Sequence, residues 1–184
     1  MPAASVPVLT FVAAAAMLAA AVWHDVRYRR VPNAVVLGGT LAGLALAGVP
    51  GGVGVMNALG GMAAGFAVLL PLYLMRVTGA GDVKLMAAVG ALAGWPAIVG
   101  IALASFVAGG VLSLALALRL RVLPGVLRNL RTAAVVTVAE LASGRLPDGS
   151  GFPVTAARMP YAIAIAAGAA VYSLLAASGA RSIF

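Results

Sequence analysis

No cysteine occurs among the 184 residues. That excludes disulfides, zinc–thiolate sites and iron–sulfur clusters. One histidine, His24, and four acids, Asp25, Asp82, Glu140 and Asp148, supply a metal site poorly. No cofactor is expected. Charge of either sign is scarce: 9% of residues carry one, against about 25% in soluble domains. The chain is 64% hydrophobic, more than a soluble domain of this size can hide.

Continuous apolar runs of about 18 or more residues recur, long enough to cross a bilayer as helices, beside two shorter ones. Continuity rather than period-two alternation excludes a transmembrane β-barrel. The expected fold is all-α, a polytopic bundle of six transmembrane helices forming one membrane-embedded domain over residues 1–184. The net charge of +8 raises the question of nucleic acid. Here the basic residues flank apolar runs, so membrane topology and anionic lipid headgroups account for them. Membrane lipid is an expected partner and nucleic acid is not.

The runs cover about 6–23, 33–48, 55–75, 82–94, 97–118 and 160–178. The first follows a leader without basic residues, so it is read as a mature helix rather than a cleaved signal. Trp23 fits an interface anchor. Arg27, Arg29 and Arg30 stop this span, and Pro32 sets a turn before the second. Pro50-Gly51-Gly52 and Gly94-Trp95-Pro96 supply later breaks. Gly39/Gly43, Gly61/Gly65 and Gly90/Gly94 each place small residues one turn apart, a pattern that lets helix backbones approach closely. Between the fifth and sixth runs lies a segment of about 119–159. Arginines followed by dense apolar residues from Leu130 to Ala142 predict an interfacial amphipathic helix there. A short membrane-dipping helix is the alternative.

Six spans put residues 25–33, 76–84 and 119–159 on one side of the membrane. Eleven of the twelve basic residues fall there; Arg181 alone falls on the other side. The positive-inside rule makes the basic side cytoplasmic and puts both termini outside.

Two of the acids sit at span ends on that side, Asp25 at the close of the first and Asp82 at the opening of the fourth. Carboxylates near membrane helices are expensive and usually functional. If the two helices are neighbours, the pair can share one proton. One member then takes a proton from water while the other polarises a carbonyl, which is the arrangement peptide hydrolysis needs. Gly79 and Gly81 leave room for an extended substrate beside Asp82. Lys84 and the arginines near Asp25 are candidates to bind acidic groups. Each acid also has a plainer explanation. Asp82 fits a first-turn acid stabilising its helix, and Asp25 fits a helix-end acid paired with Arg29 at i,i+4. His24 fits an interfacial side chain.

The stretch Gly79-Ala80-Gly81-Asp82-Val83-Lys84 resembles the G-x-G-D-x-K signature of the type IV prepilin peptidases, the GxGD membrane aspartic proteases. Asp25 followed by Arg29-Arg30-Val31-Pro32-Asn33 is similar to that family's first aspartate motif, and Arg158-Met159-Pro160-Tyr161-Ala162 to its late segment. The resemblance implies cleavage of the N-terminal leader of prepilins or pseudopilins at the cytoplasmic membrane face, with Asp25 and Asp82 as catalytic aspartates. Gly79, Gly81, Lys84, Pro32 and Asn33 are then motif residues near the substrate. Larger family members carry a cysteine-containing insertion and also N-methylate the new pilin terminus. This chain has neither insertion nor cysteine, and resembles the short CpaA/TadV-like form associated with Flp/Tad pili in the bacterial inner membrane. Archaeal preflagellin peptidases are short as well.

A small transporter or non-catalytic scaffold, using the two aspartates for protons or a cation, is the alternative from another class. A transport acid belongs near mid-membrane, whereas these two lie at one face beside arginines. Presenilin-like cleavage of other single-span proteins shares the chemistry and differs in substrate. Nothing in the sequence sets the oligomeric state.

Overall fold

The computed structural model describes residues 5–75, 77–144 and 161–178. Within them the chain forms seven helices and no strand: α1 Ser5–Tyr28, α2 Asn33–Ala47, α3 Val55–Leu74, α4 Ala80–Ala93, α5 Ala97–Arg119, α6 Leu123–Ala142 and α7 Tyr161–Ala177. The turn at 146–151, with Asp148, and Arg76, Arg145, Arg158 and Arg181 lie outside the described residues. So does the Arg158-Met159-Pro160 part of the late motif.

The breaks fall where Pro and Gly were expected to put them, with two differences. The first concerns α1, which runs five residues past Trp23 to Tyr28 and stops before Arg29, where φ is +55°. The Arg29 N–H still donates to the carbonyl of Asp25 at 2.9 Å. Arginine is a good helix former, and its stem lets the guanidinium reach water. The helix therefore outlasts the apolar run by one turn, takes in Arg27, and ends before Arg29 and Arg30. Asp25 thus sits about one turn inside α1. The second difference concerns α6, which begins at Leu123, seven residues before the expected Leu130. Pro124 occupies its first turn, where a missing N–H costs nothing.

α1, α3 and α5 are long and apolar enough to cross a membrane, while α2 and α7 are shorter apolar helices. α4 has 14 residues and is the most enclosed helix, with Val83, Leu85, Met86, Ala88, Val89, Gly90, Ala91 and Leu92 all buried. It packs mainly on α3 and α2, and also touches α1, α5 and α7. A helix surrounded by protein has little lipid to span, which fits its shortness.

Lipid is as apolar as leucine, so close packing rather than exclusion from water holds such helices together. The expected glycine faces supply it. A Cβ on Gly61 would run into the carbonyl of Gly90, and one on Gly90 into that of Gly61. Gly65 lies against the Met86 backbone, and Gly43 against the Ala91–Leu92 peptide, where an added Cβ would sit 3.0 Å away. Gly39 accommodates Met17 of α1, and Gly168 of α7 accommodates Ser105 of α5. The buried Ser105 hydroxyl donates to the Ile101 carbonyl at 2.7 Å.

These contacts also fix direction. Gly61 opposite Gly90 and Gly65 opposite Met86 make α3 and α4 antiparallel. Gly109 beside Tyr161 and Gly100 beside Tyr172 do the same for α5 and α7. The C-terminal ends of α1, α3 and α5 and the N-terminal ends of α2, α4 and α7 consequently gather at one end of the bundle.

Candidate active site

That end collects most of the residues singled out above. Asp25, on α1, is 8% exposed and is the one charged residue in the buried interior of the described residues. Its Oδ2 accepts a hydrogen bond of 3.2 Å from the backbone N–H of Ala162, in the first turn of α7. The first N–H groups of a helix have no partner within it. One carboxylate oxygen therefore satisfies a donor that α7 would otherwise bury unpaired, and α7 in turn fixes Asp25. Asp25 is thus buried rather than solvated, unlike the acid of the plainer explanation.

Asp82 is half-buried at the third position of α4. Its Oδ2 accepts the N–H of Gly79, the N-cap residue, at 3.1 Å. The carboxylate thus performs the first-turn role considered above, since it closes back on the start of its own helix. Holding the group this way also fixes where it points. Asp25 lies close enough for its charge to act on Asp82, so the folded chain brings the two carboxylates together.

The loop between α1 and α2 closes over this region. Gly81 faces Val31, and a Cβ at Gly81 would lie 3.3 Å from the Cβ of Val31. Pro32 is the N-cap of α2, with φ −64° and ψ 135°. Its carbonyl accepts the N–H of Val35 at 3.1 Å. Asn33 opens α2, and its Oδ1 accepts a hydrogen bond of 3.2 Å from Nζ of Lys84. This bond ties the start of α2 to the second turn of α4 across the surface of the site. The ring of His24 packs on Tyr28 with centroids 5.6 Å apart.

Two contributions had no assigned role in the sequence. The first is the start of α7. Ala162 contributes through its backbone, which no side-chain pattern reveals, and Tyr161 lies near enough to Asp82 to feel its charge. The late motif pointed to this segment without giving its task. The second is Thr78, whose buried hydroxyl has no hydrogen-bond partner among the described residues. It precedes Gly79 in the loop between α3 and α4. Among the described residues, no three histidines, cysteines or acids cluster to hold a metal.

Fold and site together define a helical membrane protein with two aspartates, Asp25 and Asp82, near each other at one end of its bundle. The family model of the type IV leader peptidase family matches residues 12–114, more than half the chain and a span that includes both aspartates. The chain belongs to that family. It is by that membership an integral membrane peptidase, and the family implies prepilin substrates. No curated protein and no solved structure shows significant similarity to it.

Proposed function

We propose that the chain is an aspartic endopeptidase of the GxGD type that removes the leader of Flp/Tad-type prepilins, with Asp25 and Asp82 as its catalytic pair. The observation that carries this is the convergence of the two carboxylates, each fixed by a backbone N–H at a helix start. A water between them loses a proton to the ionised carboxylate as its oxygen attacks the scissile carbonyl. The protonated carboxylate donates to the carbonyl oxygen, giving a neutral tetrahedral adduct. Collapse breaks the C–N bond, and the amine leaves with a proton returned by the acid pair.

All seven helices form one peptidase domain in this account. α1 to α5 and α7 cross the inner membrane, and α6 stays on the cytoplasmic side. A 14-residue helix is only about 21 Å long, shorter than the roughly 30 Å hydrocarbon core, but α4 is sheathed by its neighbours. The arginines at the α1, α5 and α6 ends support a cytoplasmic catalytic face with both termini outside. The substrate's apolar segment lies in the bilayer beside α1 and α4, presenting its leader junction to the pair. Gly79 puts no side chain beside Asp82, Gly81 packs on Val31 instead of facing open space, and Pro32, Asn33 and Lys84 shape the rim. The short α1–α2 connection and the lack of cysteine support proteolysis without N-methylation.

The substrate class is tested with membranes containing the enzyme and a Flp-type prepilin, the products being mapped by mass spectrometry. A single cut at the leader junction is expected. A prepilin left intact by well-expressed wild-type enzyme removes that substrate class.

A further inference from the structure

α6 carries an apolar face that nothing among the described residues covers. None of its residues is buried, and among the described residues it touches α5 only slightly. Leu127, Leu130, Val138 and Leu141 recur at helical spacing on one side, and Leu130 and Val138 are 65% and 66% exposed. Thr132 lies nearly opposite Leu130 around the helix. Beside the apolar stripe, Arg128 and Arg131 are one turn apart and line a single shallow depression with Thr132, Val135 and Val136. Arg119 and Arg121 stand just before the helix, and Glu140 is its only acid.

The placement of α6 narrows what can cover this face. α5 ends at Arg119 and α6 begins at Leu123, so a membrane-crossing α5 delivers the start of α6 to the bilayer surface. α6 then turns away instead of packing back along α5. We infer that α6 lies in the interface of the cytoplasmic leaflet, with Leu127, Leu130, Val138 and Leu141 in the acyl boundary and Arg128 and Arg131 holding the phosphates of anionic phospholipids. Apolar burial supplies the seating, and the arginines supply the preference for negative headgroups. α5 joins this helix to the bundle, so α6 braces the end where Asp25 and Asp82 meet. The inference rests on α5 spanning the membrane, not on peptidase activity.

The absence of native cysteine makes the test direct. Full-length Leu130→Cys and Thr132→Cys carry an environment-sensitive fluorophore in vesicles of phosphatidylcholine alone or with 30% phosphatidylglycerol. Spin-labelled acyl chains quench from within the bilayer, and iodide quenches from water. The Leu130 label should be quenched by the acyl chains and the Thr132 label by iodide. Arg128→Gln with Arg131→Gln should lower the ratio of seated to released helix in phosphatidylglycerol vesicles, by about fivefold for each arginine. The inference is overturned if Leu130 is open to iodide, or if it is shielded from both quenchers, which means a protein surface covers it. Equal seating in both vesicle types, unchanged by the arginine substitutions, overturns it as well.

Discussion

The backbone N–H of Ala162 and Oδ2 of Asp25 meet at 3.2 Å although 137 positions separate them in sequence. The contact joins the end of the bundle's first helix to the start of its last. It makes Asp25 part of the fold as well as of the site, and this dual role separates the expected behaviour of its variants.

Asp25→Ala should leave the Ala162 N–H buried and unpaired, at a cost of about 1–3 kcal/mol. Asp25→Asn keeps an oxygen acceptor of the same reach. Unfolding of the detergent-solubilised protein should therefore show clear destabilisation in the alanine variant and little in the asparagine variant. Equal stability of the two would mean that the contact does not hold α7 in place.

Asp82 follows the same logic on its own helix. Asp82→Asn can still accept the Gly79 N–H, whereas Asp82→Ala loses the closure and about 1 kcal/mol with it. Both should be inactive towards prepilin, and only the alanine variant should unfold earlier. An active Asp82→Asn enzyme would reduce this acid to its capping role.

The α3–α4 contact depends on glycine at both partners. Gly61→Leu should cost about 1–3 kcal/mol or more through forced separation of the helices, and cleavage should fall with it. Gly38→Ala is the matched control, because nothing lies within 4 Å of its added Cβ. Thermal unfolding should shift strongly for the first and hardly at all for the second.

Lys84 and Asn33 form an exposed bond, so its strength should be modest. Lys84→Met and Asn33→Ala should reduce cleavage to similar degrees. The double variant should match either single one, with a coupling below about 1 kcal/mol. Fully additive effects would show that the two side chains act separately.

Much of this architecture is legible in the residues. Apolar runs mark the helices, Pro32, Pro50 and Pro96 mark the breaks, and the paired glycines mark the faces that pack. α1 ends within the arginine cluster, just before Arg29 and Arg30, as that cluster suggests. Arg27 belongs to α1 and the helix reaches Tyr28, so only the apolar character stops near Trp23. Asp25 and Asp82 stand out because acids are rare beside such runs. Their proximity depends on which helices are neighbours, and no local pattern encodes that. The Ala162 contribution was hidden for a deeper reason, since every residue except proline carries the same backbone donor.

The central claim is that two carboxylates share one hydrolytic task. The measurement that tests it most directly is prepilin cleavage in membranes by wild type, Asp25→Asn and Asp82→Asn, at matched amounts of folded protein. The account predicts that each substitution lowers the cleavage rate by at least about a hundredfold, and that combining them costs little more. A variant that retains near-wild-type cleavage would contradict it and remove that aspartate from the mechanism.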